Sequence, residues 1–179
     1  MDAAETGRVV AGVSGSLGSL TALHRAAAEA HRTHGELWAV LAWEPPGGES
    51  GARHTLFPTQ LDTWRTAAAR QLLEALDAAF GSAGPGVPLR RQVARGSAAR
   101  VLVETADRCD DVLVVGAGHR GLLRPLFPSV ARYCVAHARC PVLTVPPSPL
   151  ERDWELAHRR NVWGLSLDAG SLDGDRRNT

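Results

Sequence analysis

The chain alternates between short apolar runs and longer segments in which apolar residues recur at three- and four-residue steps. Five of the apolar runs have the length and composition of β-strands: Arg8–Val13, Glu36–Trp43, Pro88–Ala94, Asp111–Gly116 and Pro141–Val145. The second and fourth runs lack polar alternation, which is typical of strands that are buried on both faces. The pattern therefore predicts a sheet that is covered by helices on each side.

Four helical segments lie between the predicted strands: Ser19–His34, Leu61–Phe80, Ser97–Cys109 and Ser129–Ala138. In the first three, the apolar positions fall on one face that can pack against a sheet. Strand and helix thus alternate over about 140 residues, as they do in parallel sheets with right-handed crossovers. We predict an α/β fold with a doubly wound, five-stranded parallel sheet.

Two proline-rich stretches interrupt this alternation. Pro45–Pro58 joins the second strand to the second helix and is long enough to form either a lid over a site or an irregular surface loop. Pro146–Pro149 ends the alternating part, so we predict an α/β domain over residues 1–147 and a C-terminal extension over residues 148–179. Within the extension, a short helix and a strand-like segment precede an end that we expect to be frayed.

Composition and charge narrow the possible functions. The 179 residues are 44% hydrophobic and 22% charged, and the formal net charge of +1 gives no reason to expect nucleic acid or an anionic membrane as a partner. The 20 positions counted as Lys or Arg are all arginine, which excludes a P-loop lysine and a Schiff-base lysine. No apolar stretch reaches the roughly 18 residues that a membrane span needs.

Cysteine usage and the first residues of the chain favour a cytoplasmic protein. The amino-terminal residues are polar and acidic and lack the pattern of a secretory signal. The three cysteines Cys109, Cys134 and Cys140 form no Cys-x-x-Cys pair. We interpret them as reduced, buried thiols and predict no metal site.

The sequence from Gly116 to Gly121 matches a G-x-G-x-x-G pattern directly after the fourth strand. A dinucleotide-binding loop of this type opens a helix at once and has an acidic residue about 20 positions later. Here two prolines follow in the segment Leu122–Pro128, and the next acidic residue is Glu151, beyond the last strand. We therefore do not interpret this loop as an NAD or FAD site.

The segment from Ser14 to Ser19 resembles the S-G-G-x-D-S loop of the ATP pyrophosphatases, which holds pyrophosphate on backbone amides at a helix N-terminus. In this chain Ser16 replaces the second glycine of that loop and Gly18 replaces its aspartate. An adenylating enzyme is therefore a weaker alternative, and we assign no catalytic residue.

The loops that follow the first and fourth strands indicate a ligand site when they are considered together. In a doubly wound sheet, ligands bind beyond the carboxyl ends of the strands, at the point where the winding reverses. If these two strands are neighbours, residues 12–19 and 116–129 face one crevice. Their small residues would let a nucleotide approach the backbone closely.

Several segments resemble the universal stress protein family and span most of the predicted α/β domain. Val10–Ser16 is similar to the family's first strand and loop, V-G-V-D-G-S, and Leu37–Trp43 is similar to its second strand. Cys140–Val145 resembles the closing C-P-V-L-V-V strand. Val114–Gly116 and Pro128–Val130 resemble the family's G-x2-G-x9-G-[S/T] loop in a degenerate form, which we associate with actinobacterial-type members.

The resemblance implies a strand order of 3-2-1-4-5, an ATP site in the crevice of many members, and dimerisation through the last strand. It carries adenine-side contacts over to Val13, Ser14, Ala42, Val115 and Gly116. It carries phosphate contacts over to Gly116, His119, Pro128, Ser129 and Val130. The same loop offers the small residues Gly118 and Gly121 and the positive charge of Arg120. We thus expect an adenine nucleotide as the ligand, as ATP with Mg.

Two departures from the family pattern leave two functions open. Ser14 replaces an aspartate of the first loop, and Pro128 replaces a glycine whose amide would hold a phosphate. One hypothesis is a cytoplasmic stress-response regulator that binds ATP without fast turnover. The other is a nucleotide-free dimeric interaction module on the same fold.

We predict a homodimer, because the apolar closing strand Pro141–Val145 would occupy an edge of the sheet that needs to be covered. In the C-terminal extension, Val162–Leu167 places Trp163, Leu165 and Leu167 on one side. That apolar side is a second candidate contact with a partner subunit.

Overall fold

The computed structural model describes residues 7–45, 58–118 and 129–146. Within these ranges the strands are β1 Arg8–Gly12, β2 Glu36–Trp43, β3 Leu89–Arg95, β4 Val112–Gly116 and β5 Val142–Val145. The α-helices are α1 Leu17–Arg32, α2 Pro58–Phe80, α3 Ala98–Thr105 and α4 Val130–His137, and a 3-10 turn follows α2 at Gly81–Ala83.

The strands form one parallel sheet with the order β3-β2-β1-β4-β5. Val10 of β1 lies opposite Trp38 of β2 and opposite Leu113 of β4, so β1 is the central strand. The chain first builds outward from β1 to β3 and then continues on the other side of β1, so the winding reverses between β1 and β4. The predicted fold class and strand order are confirmed.

The described residues belong to the unit Met1–Pro147, one of the two units into which the chain divides; the other is Ser148–Thr179. The helix and the strand predicted for the C-terminal extension lie outside the described residues, as does most of the proline-rich connector after β2. The domain boundary and the role of the extension therefore stay predictions.

The sheet separates two hydrophobic cores, because successive residues of a strand point to opposite faces. Val114 of β4 packs in the core that α1 and α2 cover, whereas Leu113 and Val115 pack in the core that α3 and α4 cover. The unbroken apolar run of β4 predicts burial on both faces, and the structure confirms it.

The first helix begins earlier than its apolar pattern predicts. Ser16 is the N-cap of α1, and its Oγ accepts a hydrogen bond from the Ser19 amide at 3.3 Å. The helix therefore starts at Leu17 instead of at Ser19 itself. Ser19, which the sequence suggested as the opening residue, is buried in the first turn instead.

The third helix is shorter than predicted and ends at Thr105. A turn follows it, in which the Asp111 amide donates to the Arg108 carbonyl at 3.3 Å, and this turn leads into β4. The turn leaves Cys109 exposed, so the prediction of a buried thiol is wrong at this position. Cys134 and Cys140 are buried, as predicted.

A buried ion pair joins β1 to the start of β4 at the amino-terminal edge of the sheet. Arg8 Nε donates to Asp111 Oδ1 at 2.8 Å, and Arg8 Nη2 donates to Asp111 Oδ2 at 2.6 Å. Asp111 is completely buried, and the Arg8 guanidinium also lies 4.8 Å from the centre of the Trp38 ring. The hydrogen bonds that Arg8 donates to Asp111 raise the pKa of Arg8 above its ordinary value, against the opposing effect of burial.

We expect Asp111→Ala to lower the free energy of unfolding by about 3–5 kcal/mol, because it leaves the Arg8 charge buried without its main partner. Asp107→Ala is the matched control. Asp107 also accepts from Arg8, at 2.6 Å, but its side chain is 66% exposed, so its loss should lower the free energy of unfolding far less than the loss of Asp111. Urea unfolding followed by circular dichroism measures both changes, and equal losses would contradict the role assigned to the buried pair.

Candidate functional site

The loops after β1 and β4 meet at the carboxyl-terminal edge of the sheet. A Cβ atom built on Gly116, the last residue of β4, would lie 3.2 Å from the Gly18 carbonyl oxygen in the first turn of α1. The end of β4 and the first turn of α1 are therefore in direct contact, at the edge of the sheet where the winding reverses. Glycine at position 116 is what allows this close approach.

Hydrogen bonds between serines hold the first loop in place. Ser14 Oγ and Ser16 Oγ are hydrogen bonded at 3.0 Å, and Ser19 Oγ donates to the Ser16 carbonyl at 2.8 Å. Gly15 lies between the first two serines with a φ of +76°, a conformation that favours glycine. The loop thus ends on a capped helix whose positive amino-terminal end lies beside the crevice.

Of the predicted adenine-side residues, Val13 directly follows β1, and Ala42 lies near the carboxyl end of β2. The Val13 side chain is buried against α1 and α2, and its amide donates to the Val40 carbonyl at 2.8 Å. Ala42 is half-buried and packs on the opposite face of the sheet. A ligand above the sheet edge would therefore meet the backbone of Val13 and not its side chain.

The described start of the second loop passes from the core at Val115 to the exposed Gly118. Val115 is buried, and the Ala117 amide donates to the Val145 carbonyl at 2.7 Å, which extends the pairing of β4 with β5 by one residue. Gly118 has a φ of +72°, and no described atom lies within 4 Å of a Cβ built on it. Gly116 is thus a packing residue, whereas Gly118 is exposed.

The fourth helix presents its amino-terminal end to the same edge of the sheet. Ser129 occupies the N-cap position in an extended conformation, and its hydroxyl makes no capping hydrogen bond. Val130, the first helical residue, is 37% exposed. A groove of about 460 Å³ lies beside them, lined by Ala117, Ser129, Ala131, Arg132, Val135, Ala136 and Thr144.

The remaining predicted phosphate contacts, His119, Arg120, Gly121 and Pro128, lie outside the described residues. Ser14, Gly116, Gly118 and Ser129 lie along the carboxyl-terminal edge of the sheet, whereas the side chains of Val13 and Val115 point into the cores. Among the described residues, no three His, Cys, Asp or Glu side chains are grouped so that they could hold a metal ion.

One residue at the site was not found by sequence reasoning. Gln71 lies in the middle of α2, and its Nε2 donates to the Ser14 carbonyl at 3.0 Å. The two residues are 57 positions apart in the sequence. The helical pattern of α2 predicts that Gln71 is exposed, but it does not show whether the side chain contacts a loop or only water. Only the packing of α2 against the sheet brings them together.

The two buried thiols, Cys134 of α4 and Cys140 before β5, lie in the core between α4 and the sheet and are not activated for chemistry. Burial raises the pKa of Cys134 to about 11, and it also raises the pKa of Cys140. Both thiols therefore stay protonated near neutral pH and act as small apolar side chains, as the sequence indicated.

Comparison with known proteins places this arrangement in a family. A sequence profile of the universal stress protein family matches residues 5–146. The chain belongs to that family. The universal stress protein fold accounts for the matched region, which includes the whole described sheet.

Solved structures of universal stress proteins resemble this chain. One, a universal stress protein in complex with cAMP, is 25% identical, with a TM-score of 0.58 over 81% of this chain and 100% of its own. UspA from Lactobacillus plantarum is 20% identical, with a TM-score of 0.56 over 79% of this chain and 99% of its own. A family member from Burkholderia pseudomallei is 23% identical, with a TM-score of 0.50 over 82% of this chain and 100% of its own.

A search among curated proteins found no significant match. Of the helices in the described ranges, none is both long and apolar enough to cross a membrane.

We expect Gly116→Val to lower the free energy of unfolding by about 1–3 kcal/mol, because the new side chain would press on the Gly18 backbone and force the two loops apart. Gly7→Val is the control, since a Cβ at Gly7 meets no described atom within 4 Å. Its effect should stay within about 0.5 kcal/mol. Urea unfolding measures both variants, and a neutral Gly116→Val would show that the loops are not in close contact.

Proposed function

We propose that this universal stress protein is a cytoplasmic stress-response regulator that binds an adenine nucleotide, such as ATP with Mg, without fast turnover. The observation that carries the proposal is the contact between Gly116 of β4 and Gly18 of α1. It brings the end of β4 against the first turn of α1, at the edge of the sheet where doubly wound folds bind ligands.

The described part of the crevice suits an anionic ligand with a flat base. The amino-terminal ends of α1 and α4 both open on this edge, and each carries a partial positive charge. The Ser129 hydroxyl makes no capping hydrogen bond and is therefore able to donate a hydrogen bond to a phosphate oxygen. Gly118, which is open on all described sides, allows a ligand to approach its backbone.

The proposed contacts divide between the two loops. On the adenine side we assign the backbone of Val13, the exposed Ser14 and the end of β2 at Ala42, with Val115 and Gly116 closing the base of the crevice. On the phosphate side we assign Gly118, Ser129 and Val130. We also assign His119, Arg120 and Gly121, which lie outside the described residues.

One solved relative supports this choice of ligand. The universal stress protein that was crystallised with cAMP is 25% identical to this chain, and the alignment covers all of that protein. An adenine ring with a phosphate is the chemistry shared by cAMP and ATP, so we propose the adenine nucleotides as a class and test them separately.

The experiment compares the thermal unfolding of the purified protein with ATP·Mg, AMP, cAMP and GTP·Mg. An adenine nucleotide at a hundred times its Kd should stabilise the native state by about 2.7 kcal/mol, and GTP should not reproduce the shift. If no adenine nucleotide changes the melting temperature at millimolar concentration, the proposal is wrong. The second candidate, a nucleotide-free interaction module, would then be favoured.

We also propose that the protein forms a homodimer through β5. The two edges of the sheet differ in charge: β3 carries Arg90, Arg91 and Arg95, whereas β5 consists of Val142, Leu143, Thr144 and Val145. Charged residues protect an edge strand from pairing with another chain, and β5 has none of them. Val135 of α4, 61% exposed beside this edge, extends the apolar surface.

We expect light scattering to give the mass of a dimer at micromolar concentration and Thr144→Arg to shift it toward the monomer. Thr144 is an exposed residue of β5, so an arginine there would hinder the pairing of β5 with another chain, as the arginines of β3 do at the opposite edge. Arg91→Thr on the opposite edge is the control and should leave the dimer intact. A monomeric wild-type protein would refute the dimer.

A further inference from the structure

A single side chain of α2 reaches across to the first loop of the crevice. Gln71 Nε2 donates to the Ser14 carbonyl at 3.0 Å, and a Cβ built on Gly15 would lie 3.3 Å from the same nitrogen. The glutamine is exposed, whereas Leu72 and Ala75 of the same helix are buried and supply its packing. Gln71 is therefore not needed to fill the core.

The hydrogen bond determines the orientation of one peptide group. The Ser14 carbonyl and the Gly15 N–H belong to the same trans peptide, so the two bonds point in opposite directions. Because Gln71 holds the carbonyl toward α2, the N–H is directed away from α2. Gly15 is exposed, and no acceptor for its N–H is found among the described residues. The N–H is thus presented to solvent as a donor.

The effect of Gln71 extends along the loop to the start of α1. Ser14 Oγ is hydrogen bonded to Ser16 Oγ at 3.0 Å, and Ser16 Oγ accepts from the Ser19 amide as the N-cap of the helix. The orientation of the Ser14 peptide is therefore linked to the position of the cap. In this way α2, which covers β2 and β3, is connected to the amino-terminal end of α1.

We infer that Gln71 is a positioning residue of the nucleotide site: it orients the Ser14–Gly15 peptide so that the Gly15 N–H can donate to an adenine nucleotide. The inference rests on the proposed function, and it adds a residue from the middle of α2 to a site otherwise built from strand ends, their loops and the start of α4. Gln71 acts through the peptide and has no assigned contact with the ligand.

The test uses Gln71→Met, which keeps the length and the helix propensity of the side chain but removes its donor. Gln60→Met is the matched control, because Gln60 is an exposed glutamine of the same helix. Adenine-nucleotide affinity is measured by calorimetry with the ligand that stabilises the wild-type protein most. The backbone chemical shifts of Ser14 and Gly15 are measured by NMR in protein without nucleotide.

We expect Gln71→Met to weaken nucleotide binding about threefold to tenfold, in line with the loss of one hydrogen bond. The carbonyl shift of Ser14 and the amide shift of Gly15 should change as well, and the Gln60→Met protein should behave as the wild type in both measurements. Gln71→Glu should weaken binding further, because a carboxylate cannot donate and its negative charge also repels the Ser14 carbonyl oxygen.

Three results would overturn the inference, and they are distinguishable. If the wild-type protein binds an adenine nucleotide and Gln71→Met binds it equally well, the positioning role is wrong while the proposed function stands. If the wild-type protein binds no adenine nucleotide, the proposed function and the positioning role fail together. Unchanged chemical shifts at Ser14 and Gly15 in Gln71→Met would overturn the role independently of any ligand.

Discussion

The pairing of β1 with β4 is the constraint on which the rest of this structure depends. It is secured at both ends of the strands, by the buried Arg8–Asp111 ion pair at one edge of the sheet and by the contact between Gly116 and Gly18 at the other. A slip in this register would separate the ion pair and would also move the two loops apart. Stability and the shape of the crevice therefore depend on the same pair of strands.

This arrangement decides how a ligand site can be built. The central strands are covered on both faces, so the side chains at their ends, such as those of Val13 and Val115, already belong to the hydrophobic cores. What remains available at the sheet edge is backbone, small side chains and the first turns of α1 and α4. Under the proposed function, such a site would recognise its ligand mainly through amides and hydroxyls, in keeping with the glycines and serines of the first loop from Ser14 to Ser19.

Most of the fold was accessible from the sequence, because it follows from local patterns. The predicted strand Glu36–Trp43 has the observed bounds, and the other strands agree within a residue at each end. The helix ends were less accurate, since caps such as Ser16 and the turn after Thr105 depend on hydrogen bonds that periodicity does not show. For the same reason the exposure of Cys109 was missed.

The sequence by itself determined the class of fold, the family and the loops that border the crevice, because apolar period and short motifs are encoded between neighbouring residues. Only the tertiary structure decided which face each helix covers, that Gly116 contacts the first turn of α1, and that Gln71 holds the Ser14 carbonyl. These contacts join residues that are far apart in the chain, and their distances depend on how α1 and α2 pack on the sheet. Packing of that kind leaves no local signature in the order of the residues.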